Sequence, residues 1–254
     1  MDSPFENTAV IILAAGLGTR MKSDRAKVLH EIQGRPMIHY VVRTARNIAG
    51  GNVVVVVGHQ ADQVRAVLTE EGRLRFALQA PQLGTGHAVS CALPEVPARC
   101  EHVVILCGDV PLIQTDTLRS LVRDHLEHQR DLTVLVVELS NPTGYGRIII
   151  DSAGRVVAIV EESDATVEQK KIRMTNTGIY CVNTRFLREA LTRIGNDNAQ
   201  GEYYLTDMVA VGHRNLKNVG AFVAGSPQEF HGINSREDLQ AVATHMREQL
   251  PNIS

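Results

Sequence analysis

Between Thr8 and Lys27 the chain reads TAVIILAAGLGTRMKSDRAK, and this stretch constrains the fold more than any other. Val10 to Leu13 is a short apolar run of the kind a buried parallel strand shows. Ala14, Ala15, Gly16 and Gly18 then remove nearly all side-chain bulk where the strand ends. A backbone stripped in this way can bring several N–H groups close to one anion, because glycine permits both close approach and positive φ. Arg20 and Lys27 add a planar cationic fork and a compact cationic point beside the same loop. The reading is a strand followed by a cradle for a nucleotide triphosphate; the alternative is an ordinary glycine-rich turn.

Two commoner phosphate motifs do not fit. A P-loop ends in Gly-Lys-Ser/Thr, whereas Gly18 is followed by Thr19-Arg20. The dinucleotide pattern GxGxxG, counted from Gly16, would need its third glycine at Met21.

Downstream, strands and helices alternate. Met37 to Ala49 carries apolar residues at helical spacing between Pro36 and Gly50-Gly51, and five valines, Val53 to Val57, form a second buried strand. Gln60 to Glu70 reads as a helix, Leu74 to Gln79 as a strand, Val103 to Cys107 as a central parallel strand, Thr115 to Glu127 as a helix and Leu132 to Leu139 as a strand. This order implies a Rossmann-like α/β fold, a mixed and mainly parallel sheet flanked by helices. At Asn141 to Arg147 the pattern changes. Ile148 to Ile150 and Val156 to Val160, joined by Asp151-Ser-Ala-Gly154, predict a β-hairpin. One domain over residues 1–254, with a small lobe inserted at about 140–182, is the simplest partition, and the lobe is expected to wall the acceptor site. Met174 to Val182 is a further strand, Thr184 to Leu191 and Leu205 to Gly212 are helices, Val219 to Val223 is a strand, and Ser235 is a candidate cap for a last helix.

Four later places attract chemistry. Gln79 to His87, QAPQLGTGH, delivers an amide at a strand end before a tight turn into a helix near His87, and an amide donates and accepts at once, as a base edge requires. Asp109 follows the strand ending at Cys107, where open α/β sheets bind ligands, and offers a hard oxygen to Mg²⁺; its alternative is a turn aspartate. Glu161, Asn176 and the Gly146 backbone would suit the hydroxyls of a sugar. Asn234, at a helix entrance, could lend a neutral oxygen to the metal or simply cap the helix.

Composition excludes several classes. With a formal net charge of −2 and no Lys/Arg block, nucleic acid is not expected as a partner. No apolar run approaches the roughly 18 residues of a membrane span, and MDSPFENTA lacks the order of a secretion signal, so a cytoplasmic chain is expected. Cys91, Cys100, Cys107 and Cys181 have no CxxC spacing and read as buried reduced thiols. His125 and His128 are expected to share a solvated helix face.

Taken in order, LAAGLGTRM with Lys27, QLGTGHA, CGDVPL, PTGYGR, IVEESDA, NTGIY, NAQGEYYLTD and GIN span about Val10 to Arg236. The chain resembles the pyrophosphorylase half of the bacterial N-acetylglucosamine-1-phosphate uridylyltransferases, in the sugar nucleotidyltransferase family. The first motif is general to sugar nucleotidyltransferases; QLGTGHA, TGYGR and NAQGEYYLTD are more specific. The resemblance implies transfer of UMP from UTP to N-acetylglucosamine-1-phosphate, giving an activated sugar for cell-wall and lipopolysaccharide precursors. It implies uridine held by Ala14, Gly16, Gln79, Gly84 and Thr85, phosphates by Arg20 and Lys27, Mg²⁺ by Asp109 and Asn234, and the sugar by Gly146, Glu161, Asn176 and Tyr203. Cys107 stands where tyrosine is also familiar and is expected to point into the sheet. Hexapeptide repeats do not follow before Ser254, so neither acetyl transfer nor the trimer that such repeats organise is expected. A glucose-1-phosphate enzyme and a non-catalytic nucleotide-sugar-binding module remain alternatives. A DxD glycosyltransferase is disfavoured because Val110-Pro111 follows Asp109.

Overall fold

The computed structural model describes residues 5–249; residues 1–4 of the segment read for a secretion signal, and the chain end at Ser254, lie outside them. Strand β1 runs over Thr8–Ala14, and after the glycine loop a two-residue hairpin pairs β2, Glu31–Ile32, with β3, Arg35–Pro36. Helix α1 covers Met37–Ala49, β4 Val53–Val57, α2 Ala61–Val67, β5 Arg75–Leu78, α3 Thr85–Ala92, β6 His102–Cys107, α4 Thr115–Glu127 and β7 Leu132–Glu138. The inserted hairpin is β8, Arg147–Ile150, with β9, Val156–Val160, followed by a single capped turn, α5, at Val167–Lys170. Then come β10, Met174–Asn183, α6, Thr184–Leu191, α7, Asp207–Arg214, β11, Val219–Val223, and α8, Arg236–Gln249.

The valine run shows why this sheet is covered on both faces. Val53, Val55 and Val57 enter one hydrophobic cluster with α1 residues Met37, Ile38 and Val41, while Val54 and Val56 enter a second with Val89 of α3 and Phe186 of α6. All five are fully buried, each full-size apolar side chain contributing about 1.5–3 kcal/mol through burial. In α1 the helical spacing of apolar residues becomes a buried face of Met37, Ile38, Val41, Val42, Ala45, Ile48 and Ala49.

The main path of the nine-stranded sheet is β5-β4-β1-β6-β10-β7-β11. The pairs β5–β4, β4–β1, β1–β6 and β7–β11 are parallel. The chain leaves β1 toward β4 and β5, then returns past it to β6, so a crevice opens between the carboxyl ends of β1 and β6. Antiparallel structure extends beyond the hairpin into the main sheet, which is mixed as the sequence implied. β10 runs against both β6 and β7 in the middle of the sheet, because the β8–β9 hairpin returns the chain to the sheet without a crossover helix. Its register shifts between Asn176 and Tyr180 around Gly178, a bulge of the kind that re-aims side chains.

Several boundaries and exposures differ from expectation. α2 stops at Val67 and gives way to a 3-10 turn at Thr69–Glu71; α3 begins at Thr85, before His87; α7 begins at Asp207, not Leu205. His125 is not on a solvated face. It continues the inward stripe of Leu118, Leu121 and Val122, fully buried, while His128 is the exposed helix end. Ser235 does cap α8: its Oγ accepts from Asp238 N at 3.1 Å, and the Asp238 carboxylate accepts from Ser235 N at 2.9 Å. All four cysteines are free, Cys100 and Cys181 buried, Cys91 and Cys107 only half-buried.

Candidate active site

The glycine loop is held from both ends. Met21 is fully buried and anchors the turn after Gly18, and the Gln60 amide clamps the far side, accepting from Ala26 N at 2.7 Å and donating to Asp24 O at 2.7 Å. Gly18 adopts φ +64°, and a Cβ there would stand 2.7 Å from Lys27 Cβ, so glycine lets the loop close directly on that lysine. A Cβ on Gly16 would meet nothing within 4 Å: its face of the loop opens into the crevice.

Lys27 Nζ donates to Asp109 Oδ2 and, at 3.1 Å, to Asn234 Oδ1. Arg20 Nη2 donates to the same Asn234 oxygen at 2.9 Å. Backbone bonds build this convergence: Gly108 N donates to Leu13 O at 2.9 Å, drawing the ends of β1 and β6 together, and Ile233 N donates to Asp109 O at 2.9 Å, fastening the Asn234 segment. Residues 207–214 positions apart in sequence thus share one oxygen. One carboxylate and one amide oxygen already converge on a cation, here the Lys27 ammonium. Such a pair suits a hard divalent ion that takes one or two protein oxygens and completes its sphere with water and phosphate. No group of three or more His, Cys, Asp and Glu suited to a metal occurs among the described residues.

Beside this cluster lies a cleft of about 480 Å³ lined by Ala14, Gly16, Gln79, Gly84 and Thr85 together with Lys27 and Asp109. All five residues read as uridine-binding, and two from the phosphate and metal sets, therefore share one space. Their side chains do not all face a ligand. Thr85 Oγ1 accepts from Leu205 N at 3.0 Å, and the Gln79 Nε2 group donates to Gly84 O at 2.9 Å and contacts His87 Nδ1 at 3.3 Å. The double role that the sequence suggested for the Gln79 amide is corrected: its N–H groups are engaged within the protein, and its oxygen is the group left for a base. Gly84, at φ +105°, lies where a Cβ would meet Tyr203 O at 2.7 Å. Cys107 also lines the cleft instead of disappearing into the sheet, since β6 ends there; burial beside Asp109 pushes its thiol up to about 12.

Gly146, Glu161 and Asn176 form a second convergence. Asn176 N donates to Gly146 O at 2.9 Å, and a Cβ on Gly146 would lie 3.3 Å from Glu161 Oε2 and 3.6 Å from Asn176 Cβ. Glu161 Oε1 accepts from Thr206 Oγ1 at 3.1 Å, while burial raises its carboxyl above the usual range. Asn176 Nδ2 donates to Tyr180 Oη at 2.8 Å. Arg147, fully buried, supports the group: it pairs with Glu162 at 2.7 Å and donates to the carbonyls of Tyr145 and Lys170. Tyr203 is placed differently. Its backbone accepts from Gly86 N at 2.8 Å and donates to Leu83 O at 2.9 Å, and its ring packs on the second core cluster, so its contacts belong to the Leu83–Gly86 loop and not to the Gly146–Glu161–Asn176 group.

Sequence reasoning missed Gln60 and Arg147, and also Gln82 and Glu202, which line the cleft. Gln82, Glu202 and Arg147 stand inside the quoted motifs QLGTGHA, NAQGEYYLTD and TGYGR without a chemistry that singles them out, and Gln60 stands in none of them.

An α/β sheet with a glycine-rich loop and a Lys–Asp–Asn–Arg cluster at its switch point defines a nucleotide-binding transferase domain. The chain belongs to the MobA-like NTP transferase domain family, whose model matches residues 10–174. Among curated relatives, the bifunctional protein GlmU of Geobacter sulfurreducens is 47% identical over 246 residues, covering 97% of this chain and 52% of that protein. The bifunctional GlmU of Trichlorobacter lovleyi is 46% identical over 243 residues, covering 96% and 53%. The chain thus spans about half the length of the curated relatives it matches. A crystal structure of a putative glucose-1-phosphate thymidylyltransferase from Bacillus anthracis superposes with a TM-score of 0.75 at 19% identity, covering 97% of this chain and 98% of that one, a likeness of fold. Among the described residues no helix is long and apolar enough to cross a membrane.

Proposed function

We propose that this chain transfers UMP from UTP to N-acetylglucosamine-1-phosphate, releasing pyrophosphate and UDP-N-acetylglucosamine, in the cytoplasm. The observation that carries the reading is the meeting of Lys27, Arg20, Asp109 and Asn234 beside the cleft formed by Gly16, Gln79 and Gly84. The motifs QLGTGHA, TGYGR and NAQGEYYLTD, which resemble those of the N-acetylglucosamine-1-phosphate uridylyltransferases, support the choice of uridine and of the acetamido sugar.

A sugar-phosphate oxygen attacks the α-phosphorus of UTP in line with the departing pyrophosphate; one P–O bond forms and one breaks. No protein nucleophile is required, since the attacking phosphate is already ionised. Lys27 and Arg20 hold the phosphates and stabilise negative charge as it moves to the leaving group. Asp109 and Asn234 would hold Mg²⁺, which when bound neutralises phosphate charge. The 140–182 segment acts as an inserted lobe, with Gly146, Glu161 and Asn176 receiving sugar hydroxyls and Tyr203 bracing the loop between the two substrates.

The test is pyrophosphate release from UTP with N-acetylglucosamine-1-phosphate and Mg²⁺, beside glucose-1-phosphate and a metal-free control. Metal-dependent release favouring the acetamido sugar supports the reading. Release with glucose-1-phosphate alone reassigns the sugar, and binding of UDP-N-acetylglucosamine without release makes the chain a binding module.

A further inference from the structure

Gln79 closes β5: its backbone N donates to Val57 O at 2.8 Å, and its side chain is almost wholly buried where it lines the cleft. A primary amide looks alike at both ends in shape and opposite in chemistry, so what it offers a ligand depends on what fixes its rotation. Gln79 Nε2 lies 2.9 Å from Gly84 O, which can only accept, and 3.3 Å from His87 Nδ1. An amide nitrogen cannot accept, so Nδ1 must carry the lone pair and the ring proton must sit on Nε2. That proton points at Cys91 Sγ, 3.6 Å away and one turn along α3. Burial raises the Cys91 thiol, which keeps it protonated and able to accept only weakly through sulfur. Gly84 and His87 therefore engage both amide hydrogens of Gln79.

We propose that His87 is a positioning residue that locks the Gln79 amide with its oxygen toward the base, and so selects a pyrimidine that carries a proton on N3 over one that carries a lone pair there. The inference rests on the nucleotide-binding reading above and deepens it. Uracil offers N3–H to the Gln79 oxygen. Cytosine would set its N3 lone pair against that oxygen, a repulsion the enzyme can evade only by rotating the amide, which costs the bonds to both Gly84 and His87. Removing His87 halves the lock.

The experiment measures binding of UTP, CTP and inorganic triphosphate to the wild-type chain and to His87→Leu and His87→Asn, with thermal melting to verify folding. Leucine removes the acceptor, whereas the asparagine Oδ1 stands near the position of Nδ1. His87→Leu is expected to lower the UTP-over-CTP preference about tenfold, the equivalent of one hydrogen bond. Triphosphate affinity should stay unchanged, and His87→Asn should restore most of the preference. A folded His87→Leu that keeps the wild-type preference overturns the proposal, as does a His87→Asn that loses it equally. Pyrophosphate release by the wild-type chain is read separately: a chain that prefers UTP but releases nothing fails the catalytic reading while the variants still decide the role of His87. A wild-type chain with no preference between the two nucleotides overturns the positioning role outright.

Discussion

Lys27 does two things at once: it bridges Asp109 and Asn234, and its Cβ packs under Gly18. Its charge should matter most as the leaving group departs, so Lys27→Ala is expected to lower kcat by roughly 10²–10³-fold. UTP affinity should change much less; steady-state kinetics beside equilibrium binding would reveal unchanged turnover if the role is wrong. Gly18 and Gly16 look equivalent in sequence and are not. Alanine at Gly18 must adopt positive φ and collide with Lys27, so it should cost about 1 kcal/mol of stability and reduce turnover too. Alanine at Gly16 meets no protein atom, and its expected effect is on nucleotide affinity alone, measurable by comparing melting and UTP titration of the two variants.

Between elements, α4 is tied to β6 and β7 through histidines. His125 Nδ1 contacts Thr133 Oγ1 at 2.9 Å, and its Nε2 contacts His102 Nδ1 at 3.1 Å. Burial, with His102 and Arg130 nearby, holds His125 down to about 3 from its ordinary 6.5. Below pH 6.5 the unfolded chain therefore binds a proton that the folded chain refuses, and stability falls as pH drops toward 3, by up to about 1.4 kcal/mol per pH unit. Above 6.5 this dependence vanishes. His102, also lowered by burial, acts with the same sign. Urea titrations from pH 7 to 4 should show a steeper loss for the wild type than for His125→Asn, which has no imidazole to charge; parallel slopes would refute the assignment.

At the scale of the molecule, the site is assembled from both ends of the chain: Arg20 and Lys27 come from the first loop, and Asn234 from the entrance to the last helix. Ligand that bridges them must stabilise the whole fold. UTP with Mg²⁺ at about 100 times Kd should add about 2.7 kcal/mol, which in a chain of this size raises Tm by roughly 5–10 °C. Chelating the metal should remove most of that shift in a thermal melt, and an equal shift with and without metal would count against Asp109 and Asn234 as its ligands.

Hydrophobic periodicity and glycine content are local properties, and they sufficed for β1, α1, β4, α4 and the β8–β9 hairpin, and for picking out the glycine loop, Gln79 and Asp109. A run such as Val53–Val57 can bury every side chain only inside a doubly covered sheet, so the layered α/β class follows from the sequence itself. What a string of residues does not carry is the direction of a strand or the partner of a polar group. The tertiary structure alone decided that β10 runs antiparallel, that His125 faces inward, that Tyr203 braces the Leu83–Gly86 loop, and that the Gln79 amide has only its oxygen to offer. Each of these is set by neighbours far away in sequence, and hydrogen bonds and burial are satisfied only when those neighbours have been brought together.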